Sequence, residues 1–287
     1  MLVFTKSMLI TSNKLPGKFA GCARSMGVAV FVLLLCNCQS VISPKQAGGQ
    51  RNIKPVLSGR IVIDPGHGGE DSGALGRRGL KEKDITLDIA KRLKRLFNQH
   101  EPSVSVVLTR TSDKYVSLED RVKVANAKKA HAFISLHINS SESKEANGFE
   151  IFSLDVASDR HAERLAAREN KELKGKSTRA DLILADLRAF SHRKDSDRLA
   201  DFIGRGLRGQ IQQHKKVPAI NDRGYNQAIF HVLFVKMPAV LAELFFISNP
   251  KEEKLLADQG MREHIARGLF VGIKQFLRAR NSYASAR

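Results

Sequence analysis

Two histidines and a glutamate lie at the ends of apolar segments, and these residue types are suited to holding a metal ion. His67 lies in the sequence Asp-Pro-Gly-His-Gly-Gly, directly after the β-branched residues 61–63. His137 comes late in a second apolar run, Phe-Ile-Ser-Leu-His-Ile-Asn, and Glu82 lies at the expected entrance to a helix. The set His67, Glu82 and His137 has the composition of an open catalytic zinc site, with three protein ligands and one position left for water.

A fourth residue, Glu243, lies inside the otherwise apolar sequence Pro-Ala-Val-Leu-Ala-Glu-Leu-Phe-Phe. An unpaired carboxylate is costly to bury, so such a glutamate is either paired structurally or works as a general acid or base with a raised pKa. Next to a zinc ion, which activates water, Glu243 would take the water proton and return one to a leaving amine. The scheme predicts hydrolysis of an amide.

Each of these residues also has a simpler interpretation. His67 could be a surface or hydrogen-bonded histidine, His137 a buried histidine satisfied by one hydrogen bond, and Glu82 a solvated residue between two lysines. The glycines around His67 permit a tight backbone turn. They do not form a phosphate-binding loop, because no Lys-Ser or Lys-Thr follows and their spacing differs from the dinucleotide fingerprint.

Strand-like and helix-like segments alternate along the chain. Apolar runs predict strands over residues 61–64, 104–109, 132–138, 148–154 and 238–244. Helical spacing predicts helices after a cap at Asp84, from Ser117 onward, and over 253–277. This alternation predicts an α/β fold with an open, mostly parallel sheet flanked by helices. Such sheets bind ligands beyond the carboxyl ends of their strands, where His67, His137 and Glu243 are expected.

The ends of the chain differ in composition from its body. Residues 1–38 resemble an export signal, because basic residues precede a short apolar run at 26–36. Cys36 and Cys38 raise the alternative of a lipoprotein signal, although the residues before them are a poor match to a lipidation site. Residues 39–58 are polar and predict a linker, 59–280 a single catalytic domain, and 281–287 a tail.

One segment, residues 155–195, interrupts the alternation. It contains a charged helical stretch at 158–173 and the sequence Ala-Asp-Leu-Ile-Leu-Ala-Asp-Leu-Arg-Ala-Phe at 180–190. Because the insertion is long and has helical content of its own, we expect it to cover part of the domain rather than only to connect two elements.

The net charge of +19 predicts an acidic partner. The basic residues are scattered and lack the interleaved aromatic residues that stack bases, which disfavours nucleic acid as the partner. An anionic cell-wall polymer would be an equally suitable partner for a chain with this positive charge. All three cysteines lie within the first 38 residues, so we expect no disulfide and no cysteine ligand in the folded domain.

Several ordered motifs resemble the zinc-dependent N-acetylmuramoyl-L-alanine amidases, which hydrolyse peptidoglycan. They span residues 60–276 and are Val-Ile-Asp-Pro-Gly-His-Gly-Gly, the glutamate of Lys-Glu-Lys-Asp, Leu-Thr-Arg-Thr-Ser-Asp, Leu-Glu-Asp-Arg-Val, Phe-Ile-Ser-Leu-His-Ile-Asn and Pro-Ala-Val-Leu-Ala-Glu-Leu. By position, the resemblance places the ligands of one zinc ion on His67, Glu82 and His137, and the catalytic glutamate on Glu243. It implies cleavage between the lactyl group of N-acetylmuramic acid and L-alanine of the stem peptide. Substrate-side candidates in the same motifs are Arg110, Arg121 and Asn139.

The insertion resembles the regulatory segment of the periplasmic cell-division amidases. In those enzymes a helix occludes the zinc ion until an activator with a LytM domain displaces it. The resemblance implies a role in wall remodelling or daughter-cell separation, with Asp181 or Asp186 as the occluding carboxylate here. It also implies a periplasmic location, with membrane contact only if the chain is lipidated. A lid without autoinhibition is the alternative for the insertion.

Three other functions compete with the amidase. The chain could be a non-catalytic peptidoglycan-binding protein, although all four site positions carry the required residue types. A different metal-dependent hydrolase, such as a peptidase or deacetylase, could have the same predicted fold, since fold alone does not fix function. A nucleic-acid-binding protein is disfavoured by the export signal and by the absence of a reader motif.

Overall fold

A computed structural model describes residues 57–171, 179–215 and 220–285, with the side chains of 179–190 and 283–285 excepted. The predicted export signal at 1–38, with Cys36 and Cys38, lies outside these residues, as does all of the predicted linker except 57–58. The side chains of Asp181 and Asp186 are also outside the described part.

Six strands form one mixed sheet. They are β1 (Gly59–Pro65), β2 (Val104–Leu108), β3 (Ala132–Asn139), β4 (Phe149–Leu154), β5 (Asp222–Ala228) and β6 (Ala239–Phe246), in the spatial order β2-β1-β3-β6-β4-β5. Neighbours pair in parallel except β4 and β6, which run antiparallel. The predicted α/β fold with a mostly parallel sheet is therefore confirmed. The antiparallel pairing of β4 with β6 was not predicted.

Helices cover both faces of the sheet. They are α1 (Glu82–His100), α2 (Leu118–Ala127), α3 (Arg160–Glu169), α4 (Arg179–Ile211), α5 (Pro250–Ala257) and α6 (Gln259–Ser285). Helices α1, α4 and α6 pack on one face and α2 and α3 on the other, so the central strands β3 and β6 are buried along their whole length. Among the described helices, none is long and apolar enough to cross a membrane.

Helix α1 begins earlier than its predicted cap. Lys81 is the N-cap residue, and Glu82 and Asp84 both lie in the first turn, so the expectation of a cap at Asp84 is wrong. Acidic side chains in this turn interact favourably with the helix dipole. The helix, rather than a loop, therefore fixes the position of Glu82.

Three further elements differ from the prediction. Strand β5 was missed because most of its residues are exposed or half-buried, so its sequence has no apolar alternation. Helix α4 runs unbroken through residue 195, the predicted end of the insertion. Helix α6 likewise continues to Ser285, through most of the predicted tail.

Candidate metal centre and active site

The predicted metal ligands converge at the carboxyl ends of two neighbouring parallel strands. His67 follows β1, His137 lies near the end of β3, and Glu82 reaches them from the first turn of α1. The Oε1 atom of Glu82 lies 3.1 Å from Nε2 of His67 and 3.1 Å from Nδ1 of His137. The three side chains therefore direct two nitrogen atoms and one carboxylate oxygen at a common point.

The backbone at His67 is strained and is held by a buried arginine. His67 has φ of 60°, a left-handed conformation that residues other than glycine adopt at some cost. The guanidinium of Arg121 donates to the carbonyls of His67 and Pro65 at 2.9 Å and 2.8 Å, and to the carboxylate of Asp64 at 2.7 Å. One side chain thus fixes the turn that carries His67.

The carboxylate of Glu82 is held by main-chain amides as well. Its Oε1 accepts from the amide of Ile138 at 2.9 Å, and its Oε2 accepts from the amide of Ala74 at 2.8 Å. A Cβ atom on Gly73 would lie 2.6 Å from both Oε2 of Glu82 and Cδ2 of His67, so only glycine fits between them. The backbone therefore orients Glu82 before any ion binds.

A second carboxylate, Glu169, enters the same centre from the last residue of α3. Its Oε2 lies 3.2 Å from Nδ1 of His137 and 3.5 Å from Nε2 of His67. Donor atoms of His67, His137 and Glu169 all lie within 4.8 Å of one another, so Glu169 could complete a metal-binding set in competition with Glu82. We did not predict Glu169 from the sequence, where it is one charge among many in a polar helix.

The neighbouring histidines and carboxylates shift the pKa values of one another. Burial would lower the pKa of His67, but Glu82 and Asp71 raise it to about 9. Burial likewise disfavours charge on His137, yet Glu169 and Glu82 raise its pKa well above the usual value. Burial would raise the pKa of Glu82, and the two histidines reverse this effect and hold it well below the usual range. Without an ion, the carboxylates are therefore ionised and both imidazoles hold their protons, and an ion that binds here would have to displace the imidazole protons.

Glu243 lies beside this centre and is fully buried, with 0% exposure. It is the register partner of His137 across β3 and β6. Neither of its carboxylate oxygens has a hydrogen-bond partner among the described residues, and Nη2 of Arg168 forms an ion pair with Oε1 at 3.8 Å. Burial raises the pKa of Glu243 to about 8, with His137 and Arg168 opposing the rise. A role for Glu243 as a general base stays a prediction, and the buried carboxyl with a raised pKa is compatible with it.

The comparison with protein families decides the identity. The family model described as N-acetylmuramoyl-L-alanine amidase matches residues 61–275, which is most of the chain and nearly all of its described part. The chain belongs to the N-acetylmuramoyl-L-alanine amidase family. The resemblance carried by the sequence motifs is thereby confirmed, and the amidase is a peptidoglycan hydrolase.

Individual relatives agree with this assignment. The amidase is 34% identical to N-acetylmuramoyl-L-alanine amidase AmiA of Escherichia coli K12 over 248 residues, covering 84% of this chain and 81% of the relative. It is 33% identical to AmiC of Escherichia coli O6:H1, covering 83% of this chain and 56% of AmiC. Among solved structures, the catalytic domain of CwlV from Bacillus (Paenibacillus) polymyxa superposes with a TM-score of 0.54 at 32% identity, covering 77% of this chain and 98% of that one.

The substrate-side candidates of the amidase are placed as follows. Arg110 is 1% exposed and donates to the carbonyls of Pro65, Gly66 and Lys83. Asn139 is buried and donates to Glu150 at 2.6 Å. These bonds give Arg110, Asn139 and also Arg121 structural roles, and contact with substrate stays a prediction for all three.

A cavity of about 660 Å³ opens beside the metal centre of the amidase. Its lining includes the predicted ligands His67, Glu82 and His137 and the residues Tyr115, Val116 and Leu118. Arg168 and Glu169 of α3 also line it. The cavity therefore combines apolar and charged side chains next to the predicted ligands, a composition that is typical of ligand-binding pockets.

Proposed function

We propose that this amidase is a zinc enzyme in which His67, Glu82 and His137 hold one ion. The observation that supports this most directly is the approach of both imidazoles to Oε1 of Glu82 at 3.1 Å. Nε2 of His67 is buried and has no hydrogen-bond partner among the described residues, as a nitrogen reserved for a metal would be. A zinc ion bound there would polarise the scissile carbonyl and lower the pKa of a water molecule.

Glu243 supplies the proton transfers in this proposal. Hydrolysis of an amide needs one proton removed from the attacking water and one delivered to the leaving nitrogen. A carboxyl with a pKa of about 8 can accept and donate a proton near neutral pH. Its burial beside His137 places it at the same end of the sheet as the ligands. Glu243 therefore acts as base in the first step and as acid in the second.

Helix α3 holds the enzyme in an inhibited state. Glu169 contacts two of the proposed ligands, and Arg168 is 3.8 Å from the proposed base while it donates to the carbonyl of Ser140 at 3.0 Å. Glu169 would keep a substrate carbonyl away from an ion held by these residues. Glu169 is therefore the occluding carboxylate of this proposal, while Asp181 and Asp186, which the resemblance suggests for that role, stay predictions because their side chains lie outside the described residues.

Release of α3 then requires a partner, and we propose an activator with a LytM domain, as the resemblance implies. A solved amidase of the same fold, CwlD from Clostridioides difficile, is a complex with the lipoprotein GerS, at 25% identity and a TM-score of 0.57. We propose a periplasmic location on the basis of the export signal at residues 1–38, with lipid anchoring at Cys36 or Cys38 as a minority alternative. The charge of +19 favours binding to an anionic wall polymer.

The test is digestion of purified peptidoglycan by the full chain, with and without zinc, and with products identified by mass spectrometry. Zinc-dependent release of stem peptides that begin with L-alanine is expected, at a low rate in the wild type and at a higher rate in Glu169→Gln. Glu243→Ala should release none. If neither the wild type nor Glu169→Gln releases peptides while both bind the wall, the non-catalytic peptidoglycan-binding alternative is correct instead.

A further inference from the structure

The second ring nitrogen of His67 has its own carboxylate partner. Nδ1 of His67 lies 2.7 Å from Oδ2 of Asp71, while Nε2 faces Glu82 and the metal centre. We propose that Asp71 is a positioning residue, which holds the proton on Nδ1 and so aims the free electron pair of Nε2 at the ion. This inference rests on the proposed zinc centre, and it is independent of the reaction performed there.

The side chain of Asp71 is fixed on both of its oxygens. Oδ2 receives the imidazole of His67, and Oδ1 accepts from the amide of Gly73 at 3.1 Å. The backbone of Asp71 is also paired with Gly68, through bonds of 2.9 Å and 3.2 Å between amides and carbonyls. The turn from His67 to Asp71 therefore brings the imidazole and the carboxylate together with little freedom in either.

The chemistry of this contact differs from that of an ordinary surface ion pair. A histidine that donates its other ring proton to a carboxylate becomes a better metal ligand and keeps one ring orientation. The side chain of Asp71 is 45% exposed, and an ion pair with that much solvent contributes little to folding stability. Loss of Asp71 should consequently affect the affinity for zinc much more than the stability of the metal-free fold.

The neighbouring residue Glu70 provides a matched control. Glu70 also lines the cavity beside His67 and carries the same charge, but it is exposed and its carboxylate makes no hydrogen bond or ion pair within the described part of the chain. If Asp71 acted only through its negative charge near the ion, removal of either carboxylate would weaken zinc binding to a similar degree. If Asp71 orients His67, only its own removal would do so.

The experiment measures zinc dissociation constants of the full chain by competition with a chromophoric chelator. Asp71→Ala should raise the dissociation constant roughly 10- to 100-fold, and Glu70→Ala should leave it unchanged. Asp71→Asn should give an intermediate loss, because its single acceptor oxygen can serve either Gly73 or His67 but not both. The midpoint of thermal unfolding of the metal-free protein should be the same for all four proteins.

Two results would overturn the inference. One is wild-type affinity for zinc in folded Asp71→Ala, and the other is an equal loss in Glu70→Ala. Failure of the wild type to bind zinc would overturn both this inference and the proposed zinc centre. If the wild type binds zinc, Asp71→Ala binds it weakly and neither releases stem peptides, then the proposed reaction fails while the role of Asp71 is supported.

Discussion

Glu169 Oε2 lies 3.2 Å from Nδ1 of His137, and this contact joins helix α3 to the proposed metal centre. The residue before it, Arg168, bonds to Glu169 at 2.9 Å and approaches Glu243. The last two residues of one helix therefore cover both the ligands and the base. In the proposed activation, a partner protein would break these polar contacts at the C-terminal end of α3, while Ala162, Leu165 and Ala166 pack the rest of the helix on the sheet.

The first prediction concerns Glu169 itself. Glu169→Gln should raise the basal rate of peptidoglycan digestion roughly tenfold or more, since a hydrogen bond to a charged group contributes about 1.5–3 kcal/mol to the closed state. The glutamine keeps the size of the side chain, so its effect reports the lost charge. The rate is measured as release of soluble dye from labelled peptidoglycan by the zinc-loaded full chain.

Glu163→Gln is the control for this prediction, because Glu163 is exposed on the same helix. It should digest peptidoglycan at the wild-type rate. A Glu169→Gln enzyme that is folded, binds zinc and is no faster than the wild type would show that α3 does not inhibit, and would favour a lid that only shapes substrate access.

The sequence could predict that His67, His137 and Glu82 lie close together, because each is at or near a strand or helix end, and Glu243 was recognisable as a lone carboxylate in an apolar strand. Their roles as ligands and base stay predictions. It could not predict Glu169, because that contact depends on how α3 folds back over the sheet. It also missed β5, whose burial is too slight to leave an apolar pattern. Local sequence pattern is thus enough to suggest the candidate site, whereas the approach of α3 to it depends on tertiary packing.

The second prediction concerns the other end of α3. Nε2 of His161 lies 2.7 Å from Oε1 of the buried Glu150 and so anchors the helix to the sheet. Glu150 keeps Asn139 and Arg223 as partners when His161 is removed, so the fold should survive. His161→Ala should raise the basal rate by roughly fivefold, the equivalent of about 1 kcal/mol for one hydrogen bond.

Arg164→Ala is the comparison for His161→Ala, since Arg164 is exposed on α3. Its basal rate should equal that of the wild type. The double variant His161→Ala with Glu169→Gln should be faster than either single variant if both contacts hold the same helix. A double variant no faster than Glu169→Gln alone would mean that His161 does not contribute to the closed state.

The third prediction separates catalysis from stability at Glu243. Glu243→Gln should lower the digestion rate by roughly 10²- to 10⁴-fold, the usual contribution of a general acid or base. Zinc binding should be unchanged, because Glu243 is not a proposed ligand. Near and above neutral pH the metal-free variant should also unfold at a higher temperature than the wild type, because folding of the wild type then requires the buried Glu243 either to take up a proton or to bury its charge.

The pH dependence of this stability gain follows from the raised pKa. The folded wild type holds its proton on Glu243 up to about pH 8, whereas the unfolded chain releases it near 4.5. The wild type therefore loses stability as the pH rises through this window, and Glu243→Gln does not. The difference in unfolding temperature should grow between pH 5 and pH 8 in thermal scans; a difference that shrinks would contradict the raised pKa of the buried Glu243.

The fourth prediction concerns Asp64, which supports the turn that carries His67. Burial would raise its pKa, but Arg121 and the hydroxyls of Thr109 and Ser135 lower it below the usual value. Asp64→Asn leaves the buried guanidinium without its charge partner, so the free energy of unfolding at pH 7 should fall by about 3–5 kcal/mol. Denaturant titration of the metal-free protein measures this loss.

The sign of the pH effect at Asp64 is opposite to that at Glu243. Its carboxylate binds a proton less readily in the folded state than in the unfolded state, where the pKa is about 3.9. The stability that it contributes is therefore complete above about pH 5 and is lost as the pH falls through and below 4. The difference in the free energy of unfolding between the wild type and Asp64→Asn should become smaller over that range. The control Asp120→Asn changes an exposed carboxylate on α2, and its free energy of unfolding should differ little from that of the wild type at every pH. A gap that is constant down to pH 3.5 would show that Asp64 acts through packing rather than through its charge.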